Sequence, residues 1–266
     1  MRSDPFNPDD DVPRELVLRR AVYPAGAVFD DHVHARGQFA YAARGVMSVF
    51  TAAGNWVVPA GRAVWLPAGL PHGMRMSGQV EMWNVFVSAA GARRAGLGGR
   101  CQVVAVSPLL EKLLEAAALL PARYPDGGRD GGLMNLLLHE LAAMPGLPLN
   151  APLPKHPRLA ALCRSLLAEP SLEVGIEQMA ERAAMSRRTF TRLFQRECGM
   201  GFALWRQQAC LLAAIARLDE GLPVSRIAAD LGYGSVSAFS AAFRRALGAA
   251  PTQFAAKALP RPGGDE

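Results

Sequence analysis

The stretch that decides the fold is Ile176–Gly199, IEQMAERAAMSRRTFTRLFQRECG, with its degenerate copy Ile227–Gly248, IAADLGYGSVSAFSAAFRRALG. Met179-Ala180 reappears as Ile227-Ala228, 48 positions on, whereas Ser186, Phe190, Phe194 and Gly199 reappear as Ser235, Phe239, Phe243 and Gly248, each 49 positions on. The one-residue difference falls between the two blocks, where a turn must lie. Each copy reads as a short helix with a small alanine on its core face, a tight connection and a longer helix. Ser186 and Ser235 stand where an N-cap takes up an orphan backbone N–H. Phe190/Phe194 and Phe239/Phe243, at i and i+4, face the core from one side of the second helix. Gly199 and Gly248 fall where a left-handed C-cap belongs. This is the sequence image of a helix-turn-helix, present twice.

Between the copies, Phe202 to Asp219 reads as one continuous helix with Phe202, Trp205, Ala209, Leu212 and Ile215 on its buried side. Eighteen residues at 1.5 Å each give a rod of about 27 Å. Successive major-groove faces of DNA lie about 34 Å apart, so such a rod can hold two recognition helices in adjacent grooves. With Phe190, Leu193 and Phe194 in the core, the first recognition helix exposes Arg187, Arg188, Thr191, Arg192, Gln195 and Arg196. Arginine bonds guanine O6/N7 bidentately, and arginine or threonine also bonds phosphate.

The region Ser171 to Gln253, closed by Pro251, resembles the AraC/XylS family of transcription regulators. The resemblance implies that Arg188, Thr191, Arg192 and Gln195 point into the groove. The second recognition helix departs from the pattern: Val236 and Ala241 stand where the family often carries longer polar side chains. Its exposed Ser237, Ala238 and Ser240, with Arg244 and Arg245 near its end, suit phosphates better than bases. Ser235, Ser237 and Arg244 are expected to grip the backbone, with apolar contacts to thymine methyls.

Up to about residue 106 the pattern is strand-like. Val46–Thr51, Trp56–Val58, Ala63–Leu66 and Val80–Ser88 are rich in β-branched and aromatic residues, and Gly54-Asn55, Pro59-Ala60-Gly61 and Pro67-Ala68-Gly69 punctuate them as turns. His32-Val-His34 places two imidazoles on the same face of a strand. A third histidine from a neighbouring strand, His72, completes a three-nitrogen set for Zn, Fe, Ni, Mn or Cu.

The spacings Gly26–His32–His34–Gln38–Gly45 and Gly61–Pro67–Gly69–His72 resemble the two motifs of the cupin superfamily, a small antiparallel β-barrel, over roughly Val22 to Val87. Gln38 stands where metal-bearing cupins usually have Glu, and Met76 where the last motif residue is often Asn. Two readings stay open: a metal site of His32, His34, Gln38 and His72, or histidines hydrogen-bonded in a pocket for an organic effector. Phe39, Tyr41, Trp65, Met74 and Met76 are candidate walls of that pocket. His139 and His156 read as incidental.

From Pro108 the period becomes helical, through Leu109, Leu110, Leu113, Leu114 and Ala117, then Leu133, Leu136, Leu137 and Leu141. These helices can cover the barrel or pair with their twins in a dimer. Pro145–Pro157 carries five prolines and reads as an irregular interdomain linker. The expected fold class is α+β in two domains. A cupin-like antiparallel β-barrel followed by helices precedes an all-α domain of two helix-turn-helix units joined by a long helix. The expected division is 1–106 sensor barrel, 107–144 helical extension, 145–157 linker, 158–257 DNA-binding domain and 258–266 disordered tail.

The chain has 266 residues and a formal charge of +6, with a pI near 9.5, which favours an anionic partner without identifying it. Cys101, Cys163, Cys198 and Cys210 form no CxxC pair, against a disulfide framework and for a reducing compartment. No apolar run approaches the ~20 residues a membrane helix needs, and the acidic N-terminus is unlike a signal peptide. The expectation is a cytoplasmic, sequence-specific regulator, not an enzyme, whose barrel senses a small molecule and modulates promoter binding. Expected partners are double-stranded DNA, the effector, a second copy of the chain and RNA polymerase. A divalent transition metal in the barrel is the candidate cofactor. The alternative from another class is a cupin metalloenzyme of oxygenase or isomerase type with an appended nucleic-acid-binding domain. A DNA-architectural protein without sequence preference is a third reading.

Overall fold

The computed structural model describes residues 12–247 and 250–252. The cap position Gly248, the acidic segment 1–11 and the tail 258–266 lie outside the described residues. Eleven strands and nine helices are described. Strands β1 (Leu16–Tyr23), β2 (Val28–His32), β3 (Gly37–Arg44), β4 (Met47–Thr51), β5 (Gly54–Val58), β6 (Arg62–Leu66), β7 (His72–Met76) and β8 (Val80–Val87) come first. Helix α1 (Ala89–Ala95), strand β9 (Gln102–Ala105), and helices α2 (Pro108–Ala117) and α3 (Gly128–Ala143) follow. Strands β10 (Gly146–Leu147) and β11 (Asn150–Pro152) lead to helices α4 (Pro157–Ala168), α5 (Ile176–Arg182), α6 (Arg187–Cys198), α7 (Phe202–Asp219), α8 (Val224–Asp230) and α9 (Val236–Leu247).

The strands form two antiparallel sheets, β1-β8-β3-β6-β9-β10 and β11-β5-β4-β7-β2. The expected barrel is therefore open: among the described residues no ladder joins the sheets. On one side both sheets end on strands poorly suited to extend a ladder. Strand β10 has two residues, and β11 ends on Pro152, which has no N–H to donate.

Alternation along β3 sorts its residues. Ala40 and Ala42 face the interior between the sheets, while Phe39 and Tyr41 face outward into a second core. Strand β8 splits likewise, with Met82 inward and Trp83, Val85 and Val87 outward. The outward set meets Leu110 and Leu114 of α2 and Leu137 and Leu141 of α3, and Tyr41 Oη donates to Glu111 Oε1 at 3.0 Å. This sheet is buried on both faces, which explains the nearly unbroken burial of β3. Gly37 is required there, because a Cβ would stand 2.2 Å from the Trp65 ring.

The proline-rich segment 145–157 is not wholly irregular, contrary to the sequence expectation. Strand β10 pairs with β9, and β11 with β5 through Asn150↔Trp56, Ala151↔Asn55 and Pro152↔Gly54. Both are edge strands, where a missing N–H can face away from the ladder. Helix α7 grips the same segment: Trp205 Nε1 donates to Pro152 O at 2.7 Å, and Gln208 Nε2 to Pro148 O at 2.7 Å and Asn150 O at 2.5 Å. At the end of α7, Asp219 Oδ2 accepts from the Val46 amide at 3.1 Å. Its carboxylate also accepts from the Gly78 backbone, and burial pushes its pKa up to about 6. All four cysteines are free. Burial pushes the thiols of Cys101, Cys198 and Cys210 up to about 12, so they stay protonated and unreactive.

Candidate nucleic-acid interface and effector pocket

The two copies fold as two helix-turn-helix units, α5–α6 and α8–α9, joined by α7. In each, the turn is closed by equivalent bonds, Met185 N to Ala180 O and Tyr233 N to Ala228 O, both 2.9 Å. The matching left-handed residues are Ala184, φ 55°, and Gly232, φ 77°. Both pairs are 48 apart, so the extra residue falls between Tyr233 and the cap Ser235, inside the turn. Ser186 Oγ accepts from Thr189 N at 3.2 Å and donates to Thr189 Oγ1 at 3.0 Å. Ser235 Oγ accepts from Ala238 N at 3.1 Å. Gly199 closes α6 in the left-handed region, φ 72°.

Phe190 and Phe194 are fully buried and stack at 5.4 Å, with Phe202 and Trp205 set edge-on to them. Phe239 and Phe243 of α9 are also fully buried but meet tilted at 5.6 Å, with Tyr233 edge-on to Phe239. The opposite face of α6 carries Arg187, Arg188, Thr191, Arg192, Gln195 and Arg196, all exposed. These six are not equivalent. Arg187 is paired with Glu177 at 2.9 Å, and Arg196 with Glu197 at 3.4 Å. Thr191 Oγ1 donates to Arg187 O at 2.9 Å, so its proton is already committed. Arg188 and Arg192 make no ion pair among the described residues. On α9, Ser237, Arg244 and Arg245 are exposed and Ser240 is half-buried.

In the sandwich, His32, His34 and His72 converge, with ligand nitrogens within 4.8 Å of one another. His32 Nδ1 contacts Asp30 O and His72 Nδ1 contacts Leu70 O, each at 2.8 Å. A carbonyl only accepts, so both rings donate from Nδ1. His32, His34 and Gln38 line a cavity of about 200 Å³ with Arg19, Ala21, Tyr23, Phe29, Met74, Met82, Asn84 and Phe86. Gln38 Nε2 donates to Asn84 Oδ1 at 2.8 Å, and its Oε1 has no hydrogen-bond partner among the described residues.

Of the five expected pocket walls only Met74 lines this cavity. Phe39, Tyr41 and Trp65 sit on the other face of their sheet, under α2 and α3. Met76 is fully buried in the core. The residues that sequence reading missed are Phe29 on β2, Arg19, Ala21 and Tyr23 on β1, and Met82, Asn84 and Phe86 on β8; the last two sets follow the period of two that identifies one face of a strand.

Residues 17–182 match the model of the AraC-like ligand binding domain, and residues 179–257 that of a helix-turn-helix domain. The HTH-type transcriptional regulator NimR of Escherichia coli K12 is 29% identical over 226 residues, 85% of this chain and 82% of its own. The RCS-specific HTH-type transcriptional activator RclR of the same organism is 36% identical over 100 residues, 37% of this chain and 35% of its own. Among solved structures, ToxT from Vibrio cholerae O395 aligns over 91% of this chain and 98% of its own at 10% identity and TM-score 0.39. No helix among the described residues is long and apolar enough to cross a membrane. The chain belongs to the AraC family of transcription regulators, with a small-molecule-binding domain ahead of a DNA-binding helix-turn-helix domain.

Proposed function

We propose that the chain reads a specific DNA site chiefly through α6, with Arg188 and Arg192 on base edges and Thr191 and Gln195 beside them. Ser237, Ser240, Arg244 and Arg245 of α9 hold phosphates in the next groove, and Arg187 and Arg196 do so at the flanks of α6. Ser186 and Ser235 act mainly as caps that fix the two helices. The observation that carries this reading is the pair of unpartnered arginines on a recognition helix whose aromatic face is locked onto α7. Selection of sites from random DNA by the purified protein, at physiological salt and with competitor, tests it. A motif of two blocks about one helical turn apart supports the reading. Recovery of no motif, with binding that vanishes as salt rises, defeats it.

The sandwich cavity is the effector site in this proposal. Its volume, about 200 Å³, lies below the roughly 300–1,000 Å³ usual for ligand pockets, which favours a compact effector. Tyr23, Phe29 and Phe86 offer aromatic walls, and Gln38, Asn84 and the imidazoles polar contacts. The three histidines, whose ligand nitrogens lie within 4.8 Å of one another, also suit a divalent transition metal, which here shapes the pocket. No carboxylate lines the cavity among the described residues, which favours binding over turnover. Equilibrium dialysis against Zn(II) or Ni(II) tests the metal: a His32→Ala/His34→Ala double variant loses it if the site is real. On this reading the protein works in the cytoplasm as a homodimer through the α2–α3 layer, where Leu109 and Leu136 are exposed. At promoters it meets RNA polymerase.

A further inference from the structure

A second cleft, of about 700 Å³, opens on the outer face of the five-stranded sheet, between β4, β5 and β7 on one side and α4 and α7 on the other. It is separate from the sandwich cavity. Met74 lines the cavity and Arg75 the cleft, as successive residues of one strand must when they face opposite ways. Its apolar walls include Phe50, Trp56, Leu153, Leu167, Leu212 and Ala213. Its charged groups are Arg75, Arg164 and Arg217 against Asp31 and Glu220, one net positive charge.

Arg217 is the informative residue. It lies in the last turn of α7, and its Nη1 is buried without a hydrogen-bond partner among the described residues. Glu220 feels its field, which lowers the carboxyl pKa against the larger upward push of burial, yet the two form no ion pair. Arg217, half-buried at the wall of a cleft with both charged and apolar lining, is suited to a carboxylate that can bond a guanidinium edge in parallel. The volume lies within the range of about 300–1,000 Å³ for small-molecule sites.

We propose that this cleft binds an organic monoanion with an apolar body, its carboxylate on Arg217 and its body against Phe50, Val57 and Leu212. The bound molecule touches β4 and β5 of the sensor and, at once, the helix that carries both helix-turn-helix units. The site thus joins the two halves directly, without passing through the histidine cavity.

The test is isothermal titration of the full chain with 4-phenylbutyrate and with 4-phenylbutanol, which has the same body and no charge. Saturable binding of the acid is expected, with the alcohol at least tenfold weaker, and Arg217→Gln should weaken the acid at least tenfold while barely changing the alcohol. Arg164→Gln, at an exposed position, gives a second reading with a loss of several-fold should Arg217→Gln not fold. A His34→Ala variant, altered in the sandwich cavity alone, should bind the acid as the parent chain does. Absence of saturable binding, equal binding of acid and alcohol, or loss with His34→Ala but not with Arg217→Gln would each overturn the proposal.

Discussion

Replacing Arg192 with alanine removes a guanidinium from the middle of the exposed face of α6 that has no ion-pair partner among the described residues. A bidentate arginine–guanine pair contributes about 1–3 kcal/mol of discrimination. At about 1.4 kcal/mol per factor of ten, Arg192→Ala should weaken the selected site roughly 5- to 150-fold. Fold stability should change by no more than about 0.5 kcal/mol, as for other exposed substitutions. Arg187 supplies the internal comparison, since its side chain already bonds Glu177 at 2.9 Å, with the two side chains 69% and 67% exposed. Such a surface pair contributes about 0.2–1 kcal/mol, which DNA must first displace, so Arg187→Ala should lose less affinity than Arg192→Ala. The assay is fluorescence anisotropy on the selected duplex and on a scrambled duplex of equal composition, across several salt concentrations. Equal loss on both duplexes, with the salt slope reduced by about one, would make Arg192 a phosphate contact. A larger loss at Arg187 than at Arg192 would refute the ranking by prior pairing.

Ala184 holds φ 55° where the second unit has Gly232. Relief of about 1–2 kcal/mol of left-handed strain, less about 0.5–1 kcal/mol for the freedom of glycine, makes Ala184→Gly stabilising by about 0–1.5 kcal/mol in a denaturant titration. A loss of stability would mean that the turn is unstrained. Trp205→Phe removes the indole N–H from Pro152 O and leaves that carbonyl only the weak Cys198 Sγ donor at 3.8 Å, at about 1–3 kcal/mol for the under-satisfied carbonyl and about 1 kcal/mol for the void. The same titration should lose about 2–4 kcal/mol, and a loss under about 1 kcal/mol would show water replacing the bond. Burial pushes the Asp219 carboxyl up to about 6 in the folded chain, from an ordinary value of 3.8. The folded state therefore binds the extra proton between those values, and stability falls as pH rises through that window. Asp219→Asn should consequently raise stability relative to the parent more at pH 7 than at pH 4, and an equal effect at both would exclude titration of this carboxyl.

The helical half was legible because its signals are local. Caps, aromatic pairs at i and i+4, and the C-cap glycine each act within one or two turns, and all five core positions expected on α7 are buried there. The two pocket sets show where locality ends. With Gln38 assigned to the interior, the period of two already sends Phe39 and Tyr41 to the other face, but their size and apolar character suggested a pocket wall. What claims them is the α2–α3 layer, a long-range contact that no strand pattern announces. The linker shows the same limit: its prolines report the local chain correctly, whereas pairing of β11 with β5 depends on residues about a hundred positions away. Arg217 likewise reads as the polar flank of an amphipathic helix until the sheet is placed opposite.

The strap formed by β10 and β11 bears on how chimeric regulators should be cut. A junction placed anywhere in 145–157, where composition invites it, would give a transplanted reading head a foreign edge strand beside β5. It would also give Trp205 and Gln208 foreign carbonyls to bond. A graft that carries β11 together with β5 and α7 keeps the seam intact. A hybrid assembled at the proline run inherits two sound halves and a broken hinge between them.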